Sequence, residues 1–374
     1  MSAGIVLHSG GPTPVVNASL LGVVEEARRH PRITQLLGAR FGIDGILNQD
    51  FVDLLAVDAI PHTPSSALGT SRRYVDDETL AAILKVLRAR GVEYLFFTGG
   101  NGSMGAAARI AESGGVRVIG IPKTIDNDLT HTDHTPGYAT AARFFACAAR
   151  DIGADNRALP GQVEFIEVLG RNTGWLVAAT ALARHDPGDA PHLIYLPETR
   201  LPLAQLLDDV DRVYRRLGHC VVTVCEGQLD ESGQPFGADA RPSSGRLLAM
   251  NLAHRLAMLV SEKLNLRARS EKPGLLARSG AAYFSQLDWA EARLVGEAAV
   301  RAAFDGASGV MITLEREPGS VYAVRCGTVP LATVASAERP FPAEWRNTAG
   351  NDVTSDFVDY AEPLLGLIER YQPL

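Results

Sequence analysis

Short apolar, β-branched runs alternate with longer stretches of helical periodicity along most of the chain. Residues 116–121 form one such run, with a single charged break, and predict a buried strand. Over residues 76–90, apolar side chains recur at positions i, i+3, i+4 and i+7, and acidic residues occupy the first turn. Gly91 follows the last turn, so the stretch predicts a helix. Because strands and helices alternate, the pattern predicts an α/β fold.

The length and composition of the chain limit its organisation. A chain of 374 residues exceeds one ordinary core, and strand and helix patterns recur in both halves, so we expect two domains. A composition of 46% hydrophobic and 21% charged residues is typical of soluble globular proteins. The net charge of −7 gives no general attraction to nucleic acid or to anionic membranes. Any anion site must therefore be local.

Compartment and metal content can also be inferred from the composition. No apolar run reaches 18 residues, so we expect no membrane span, and the N-terminus has no basic region followed by an apolar core. The four cysteines are scattered without metal-ligand spacing, as expected for free thiols in a reducing compartment. We therefore expect a cytoplasmic protein.

An acidic cluster follows the strand predicted at residues 116–121. Asp126 and Asp128 are separated by Asn127 and preceded by Lys123 and Thr124. Open α/β sheets place their ligands at the carboxyl ends of strands, and burying unpaired carboxylates is costly, so the cluster indicates a functional site. An Asx-rich turn, in which these side chains only bond their own backbone, is the alternative.

Two glycine-rich turns connect predicted strands to predicted helices. Gly10 and Gly11 follow the first strand, and residues 99–105, which include Ser103, follow the strand at 93–98. Backbone N–H groups in such turns can bind an anion, although many glycines serve only the geometry of the turn. Neither turn has the spacing of a P-loop or of a dinucleotide-binding fingerprint. Arg72 ends a small-residue loop and suits phosphate oxygens, unless it is only a solvated surface residue.

The second half repeats this arrangement. Arg171 follows the strand predicted at 163–168, and Glu226 follows the strand predicted at 220–225, so both are expected at strand ends where ligands bind. His131 and His134 could suggest a metal, but no third ligand has a defined spacing, and we interpret both as polar loop residues.

Together these motifs resemble the phosphofructokinase family. The resemblance covers residues 4–305 and is carried, in chain order, by Gly10-Gly11 with Asn17-Ala18, Leu68-Gly69 with Arg72, Gly99-Gly100-Asn101-Gly102-Ser103, Pro122-Lys123-Thr124-Ile125-Asp126-Asn127-Asp128, Leu169-Gly170-Arg171, Glu226-Gly227 and Arg278-Ser279. It implies two doubly wound, mostly parallel-sheet domains. Residues 1–137 with about 277–325 would bind donor phosphates, and residues 138–276 with about 326–374 would bind the sugar phosphate. It also implies a homodimer or homotetramer in which a neighbouring subunit often completes the acceptor site.

The resemblance implies transfer of a phosphoryl group from ATP or pyrophosphate to the 1-hydroxyl of fructose 6-phosphate, with Mg²⁺. Asp126 would be the general base, Thr124 and Arg72 would contact the transferring group, and Asp128 with Asn101 would hold the metal. The implied donor-phosphate residues are Gly10, Gly11, Arg72, Gly100, Asn101, Gly102, Ser103 and Lys123. The implied acceptor residues are Thr124, Asp126, Asp128, Leu169, Gly170, Arg171, Glu226, Arg269 and Arg278.

Several departures from the family pattern keep alternatives open. Gly102 is typical of ATP users and leaves room for an α-phosphate, whereas Lys123 is typical of pyrophosphate users; Gly102 leads us to favour ATP. Gln162 and Leu275 stand where an arginine and a histidine or tyrosine usually contact the sugar phosphate. The acceptor could therefore be another sugar phosphate, a nucleoside or a cyclitol, unless Arg269, Lys272 and Arg278 suffice. Asn101 replaces an aspartate of ATP users, and it motivates a third alternative, a non-catalytic regulatory homologue.

Overall fold

The computed structural model describes residues 2–237, 251–335 and 337–371. The chain divides into two compact units, each assembled from three segments. The first unit comprises Met1–Tyr138, Arg278–Ala281 and Gln286–Arg339, and the second comprises Ala139–Ala277, Ala282–Ser285 and Pro340–Leu374.

The strands are named here in chain order. They are β1 (Ser2–His8), β2 (Ile33–Ala39), β3 (Phe51–Asp53), β4 (Val92–Gly99), β5 (Arg117–Pro122), β6 (Val163–Val168), β7 (Leu193–Tyr195), β8 (Cys220–Cys225), β9 (Ala268–Glu271), β10 (Val310–Arg316) and β11 (Val324–Pro330).

The helices are named in the same way. They are α1 (Val16–Arg28), α2 (Ile43–Asn48), α3 (Asp77–Ala89), α4 (Asn101–Glu112), α5 (Tyr138–Ala158), α6 (Trp175–Ala178), α7 (Leu203–Leu217), α8 (Leu252–Leu264), α9 (Leu276–Ser279), α10 (Gln286–Phe304), α11 (Leu331–Val334) and α12 (Ser355–Leu365). Short 3₁₀ helices lie at Ala179–Ala183 and Ala343–Trp345.

The first unit is a doubly wound sheet with the strand order β11-β10-β5-β4-β1-β2-β3. Strands β2, β1, β4, β5 and β10 are parallel, and the edge strands β3 and β11 are antiparallel to their neighbours. One apolar cluster joins the sheet to α3 and α4, and another joins it to α1 and α10. Helices therefore cover both faces, and the turns after β1, β4 and β5 share one edge of the sheet.

The second unit has a four-stranded parallel sheet in the order β7-β8-β6-β9. Helices α7 and α8 bury apolar side chains in the cluster on one face. On the other side, the hydroxyls of Thr180 and Thr223 join the 3₁₀ helix to β8 at 3.0 Å. The tail of this unit contributes an aromatic cluster in which Phe341 and Phe357 pack edge-on, with ring centroids 5.0 Å apart.

The predicted α/β class with mostly parallel sheets is confirmed, and one boundary differs from expectation. The first unit extends to Arg339 rather than to about residue 325, because β11 pairs with β10 from Arg316 to Val310. After Arg171 a single α-turn continues as a 3₁₀ helix. The part of the chain after α10 contains β10 and β11 as well as α12. Within the described ranges, no helix is long and apolar enough to cross a membrane.

Candidate active site

The acidic turn that follows β5 lies in the first unit and is tightly folded. Asn127, fully buried at a positive φ of 54°, reverses the chain between Asp126 and Asp128. The Thr124 hydroxyl accepts a hydrogen bond from the Asp126 N–H at 3.1 Å. Such a left-handed backbone is uncommon outside glycine but tolerated by asparagine. The turn therefore fixes both carboxylates at the ligand edge of the sheet.

Asn101, at the start of α4, contacts Asp128. Its Nδ2 donates to Asp128 Oδ2 at 3.2 Å, while Asn101 Oδ1 and Asp128 Oδ1 are buried and have no hydrogen-bond partner among the described residues. Burial is the main cause that raises the pKa of Asp128, and a hydrogen bond from Thr124 opposes it. Two buried oxygens without donors, on side chains that contact each other, are a polar arrangement that a hard cation would satisfy. In the described ranges, no group of three or more His, Cys, Asp or Glu side chains could hold a metal by itself.

Lys123 is buried beneath the first glycine turn. It is 4% exposed, and its Nζ donates to the Gly11 carbonyl at 2.5 Å. Burial lowers the pKa of Lys123 from 10.5 to about 8, against the attraction of Asp126 and Asp128. The buried ammonium thus lies between two carboxylates and the backbone of the glycine turn, where it can bind an anion.

Two guanidinium groups approach the same turn. Gly10 has a positive φ of 81°, which glycine adopts without strain. A Cβ placed on Gly11 would lie 2.9 Å from Nη1 of Arg278 and 3.6 Å from Nη2 of Arg72. The Gly10 N–H is bonded to the Ser71 carbonyl at 2.9 Å, and the Gly11 backbone and three cationic side chains surround one small volume. This is the chemistry of a phosphate site.

The loop that carries Arg72 is held by the buried side chains of Asn17 and His8. Asn17 donates to the Thr63 carbonyl at 2.9 Å and accepts from the Ala67 N–H at 2.8 Å. Ser66 Oγ donates to the Gly69 carbonyl at 2.7 Å, so at 2.7 Å from His8 Nδ1 it accepts a hydrogen bond. Burial, with the charge of Lys123, lowers the pKa of His8 to about 3, which keeps this ring neutral.

The second glycine turn caps the same edge. Ser103 Oγ donates to Ser9 Oγ at 2.9 Å, which joins the two turns, and the Lys123 N–H donates to the Gly99 carbonyl at 3.1 Å. Gly100 begins α4 as its N-cap residue. A Cβ on Gly102 would meet no described atom within 4 Å, so the space beside it is open. The structure thus brings all the predicted donor-phosphate residues to one sheet edge.

The second unit brings four predicted acceptor residues together, namely Leu169, Gly170, Arg171 and Glu226. Val168 pairs with Cys225, so the turns after β6 and β8 are adjacent. Gly227 packs directly on the Arg171 carbonyl and leaves no space for a Cβ. Burial, with the nearby Glu167, raises the pKa of Glu226, and the charge of Arg171 opposes this rise.

The three cations considered for the sugar phosphate, Arg269, Lys272 and Arg278, lie apart from these four residues. Arg269 pairs in register with Glu164, which is five residues and roughly 17 Å of strand away from Leu169. Arg278 belongs to the first unit, as do Thr124, Asp126 and Asp128, and it lies beside Gly11. Lys272 forms a 2.6 Å ion pair with the buried Glu167. Within one chain, therefore, Arg269 is not grouped with Arg171 and Glu226.

The two positions that raised doubt about the acceptor differ in their surroundings. Gln162 is 2% exposed, and its Oε1 has no hydrogen-bond partner in the described part of the chain. Leu275 is 59% exposed. Gln162 is therefore enclosed within its own unit, whereas Leu275 presents an apolar side chain on the surface.

Two residues near the first-unit site were not identified from the sequence. Phe41 follows β2 with a positive φ of 58° and 60% exposure, and Gly69 packs against its ring. A bulky residue in this backbone conformation is rare. Glu338 lies close enough to Asp128 to raise the pKa of that carboxyl, as a cause secondary to burial. In the sequence, an aromatic residue directly before Gly42 was the only signal that could have marked Phe41. No sequence signal marked Glu338.

Comparisons with known proteins agree with this geometry. Residues 4–303 match the family model described as Phosphofructokinase. The chain is 39% identical to a pyrophosphate–fructose 6-phosphate 1-phosphotransferase of Rhodospirillum rubrum, over 97% of this chain and 94% of that protein. It is 31% identical to a sulfofructose kinase of Alkalicoccus urumqiensis, over 90% and 89%. A crystal structure of a pyrophosphate-dependent phosphofructokinase from Marinobacter aquaeolei superposes with a TM-score of 0.88 at 31% identity, over 100% and 94%.

Proposed function

Because the chain belongs to the phosphofructokinase family, we propose that it transfers a phosphoryl group from pyrophosphate to the 1-hydroxyl of fructose 6-phosphate. The observation that carries this proposal is the convergence of Arg72, Lys123 and Arg278 on the Gly10–Gly11 turn, beside Asp126. Phosphoryl transfer requires positioning and charge neutralisation more than covalent chemistry, and these groups supply both.

Lys123 is the reason for proposing pyrophosphate as the donor. When pyrophosphate donates a phosphoryl group, the leaving group is a phosphate that has no further substituent. It therefore carries more negative charge than the corresponding internal phosphate of ATP. A buried ammonium directly beneath the glycine turn neutralises that charge in a medium of low dielectric constant. The names of the relatives point in the same direction.

ATP is the second candidate, and two observations favour it. The space beside Gly102 is open, as a nucleotide would require. The exposed ring of Phe41, at the carboxyl end of β2, could stack on a base. The expectation of ATP from Gly102 therefore remains a distinct and testable outcome.

The chemical step is assigned to Asp126. Its carboxylate accepts the proton of the acceptor hydroxyl while that oxygen forms a bond to the terminal phosphorus and the bridging P–O bond breaks, releasing phosphate. Thr124 and the Gly11 N–H donate hydrogen bonds to the transferring group, and Arg72 balances its charge, whereas the Gly10 N–H is already bonded to the Ser71 carbonyl.

Asp128 and Asn101 are proposed to hold Mg²⁺. Their two buried oxygens without donors fit a cation that commonly binds one or two protein oxygens, with water and phosphate oxygens completing its shell. When bound, the ion would neutralise charge on the phosphates. Because Asn101 is neutral, the charge of the protein ligand set comes from Asp128 alone.

For the acceptor, we propose that Arg171 and Glu226 bind sugar hydroxyls and that Arg269 binds the sugar phosphate of a neighbouring copy. The distance of Arg269 from Arg171 along the sheet supports a homodimer or homotetramer, as does its exposure. Light scattering that finds only monomers would refute this part. Another acceptor is the alternative, because Gln162 is enclosed and Leu275 is apolar.

All four cysteines are free, which supports the cytoplasm as the compartment.

The proposal is tested by steady-state kinetics with both donors against a panel of sugar phosphates and polyols. We expect pyrophosphate and fructose 6-phosphate to give the highest kcat/KM. The Asp126→Asn variant should lose about 100- to 10,000-fold in kcat with little change in the KM for the donor. Asp305→Asn makes the same chemical change at an exposed site of the same unit and should have no effect. Near-wild-type turnover of Asp126→Asn would refute the assigned base.

A further inference from the structure

The segment that leads from the acidic turn to α5 contains a buried histidine held between two carboxylates. His134 is 1% exposed. Its Nδ1 lies 2.9 Å from Asp133 Oδ2, and its Nε2 lies 2.6 Å from Glu291 Oε2 on α10. A carboxylate oxygen accepts hydrogen bonds, so both ring nitrogens must donate. The arrangement therefore requires the cationic imidazolium, despite its burial.

The charges around this ring balance. Arg316, at the end of β10, donates to Asp133 Oδ2 at 3.1 Å, and the Tyr322 hydroxyl donates to Glu291 Oε1 at 2.6 Å. Two cationic side chains thus face two carboxylates. Arg339 also donates to the Asp133 carbonyl. Removing one member of such a buried group leaves an uncompensated charge, whereas the complete group fixes the position of the segment.

The next residue connects this group to the acidic turn. Thr135 Oγ1 lies 2.9 Å from the Thr124 carbonyl and 3.4 Å from Asn127 Oδ1. Thr124 and Asn127 are the residues that shape the backbone around Asp126. On the far side, the Gly137 N–H donates at 2.8 Å to Asp288, which lies one turn before Glu291 on α10. Helix α10 therefore holds the segment through two carboxylates on one face.

We propose that His134 is a positioning residue for phosphoryl transfer, which holds Thr135, and through it the Thr124–Asp128 turn, in the geometry that the transfer requires. This role rests on the proposed function of Asp126. It differs from our interpretation of His134 as a polar loop residue, because the ring is buried and its two nitrogens join the segment to α10. His134 itself touches neither the donor nor the acceptor.

The test uses His134→Gln in the full-length protein. We expect kcat to fall about 100-fold, as for a small misplacement of a reacting group, while the KM for pyrophosphate changes less than about threefold. Glu291→Gln should produce the same result, a large fall in kcat with little change in the KM for pyrophosphate. The double variant should be no worse than the poorer single variant, because two neutral amides can bond to each other. Arg293→Gln is the matched control, since Arg293 lies on the same helix but pairs with Glu25.

Melting temperatures are measured for each variant, so that a general loss of stability is separated from misplacement. If His134→Gln does not fold, Glu291→Gln alone decides. A kcat within threefold of wild type in a folded variant would overturn the positioning role. Additive losses in the double variant would also overturn it. If Asp126→Asn is inactive in the same experiment, the failure of the positioning role leaves the proposed function intact. An active Asp126→Asn would refute the assigned base, and a wild-type protein without turnover would refute the proposed function.

Discussion

Lys123 should set the alkaline limit of pyrophosphate use. Burial lowers the pKa of Lys123 from its ordinary 10.5 to about 8, which corresponds to a cost of about 3 kcal/mol for keeping the buried amine charged. The side chain is 4% exposed, so solvent screens this cost little. Because kcat/KM reports on the free enzyme, it should fall about tenfold for each pH unit above 8. At pH 9.5 it should be about 30-fold lower than at pH 7.

The assay measures kcat/KM for pyrophosphate between pH 6.5 and 9.5 at saturating acceptor and constant free Mg²⁺. Lys123→Met should lower kcat/KM about 10- to 100-fold at pH 7, as expected for a lost charge-assisted contact. It should also remove the alkaline limb that begins near pH 8 and leave only the later fall from titration of His134, whose carboxylate partners raise its pKa to about 9 against burial. A wild-type profile that stays flat to pH 9.5, or a limb beginning near pH 8 that persists in Lys123→Met, would refute the reasoning.

The same pKa has a consequence for stability. Since the folded-state pKa lies below the unfolded one, the unfolded chain binds more protons between pH 8 and 10.5. The free energy of unfolding should therefore gain up to about 3 kcal/mol from this group as the pH rises through that window, and the cost is fully present below pH 8. Titration of His134 acts in the opposite direction over part of this range and is common to both proteins. Urea titrations at pH 7 and pH 10 should therefore show the gain as the difference between wild type and Lys123→Met.

Three further predictions follow from single positions. Gly102→Asp adds a carboxylate to open space, so any ATP turnover should fall at least about 100-fold while pyrophosphate turnover stays within threefold; surviving ATP turnover excludes Gly102 as the gate. Asp128→Asn should raise the Mg²⁺ concentration for half-maximal activity at least about tenfold, since it removes the charged ligand; an unchanged Mg²⁺ titration contradicts the metal site. Gly296→Ala would bring a methyl group against the Ser19 carbonyl on α1 and should cost about 1–3 kcal/mol in urea unfolding; a loss below about 0.5 kcal/mol would show that the helices adjust.

Much of the first-unit site could be predicted because its residues follow strands directly. The run before Lys123 forms β5, and the acidic turn lies at its end. The helix expected at residues 76–90 is present, with Asp76 accepting a hydrogen bond from the Thr79 N–H at 2.8 Å as its N-cap. Local patterns of this kind require no knowledge of long-range contacts, so the sequence alone suffices.

Features that depend on distant pairing could not be predicted. The pairs His134 with Glu291 and Gly11 with Arg278 join residues far apart in the chain, and no periodicity marks them. The register that places Arg269 beside Glu164 was equally hidden, because β9 is short and half-exposed. The extent of the first unit was misjudged for the same reason, because the pairing of β11 with β10 is a tertiary contact that no local pattern in the sequence indicates.

The discontinuity of the first unit has a consequence for synthesis and for fragments. Strand β5 acquires its neighbour β10, and the apolar faces of Val23 and Ile119 are covered by α10, only after the ribosome has added more than 150 residues beyond Asp128. A fragment ending at Tyr138 would carry the acidic turn on a sheet with one bare edge and with one face covered only by α1. Such a fragment would be prone to aggregate rather than bind phosphate. Attempts to isolate a minimal catalytic piece should therefore retain the chain through Arg339.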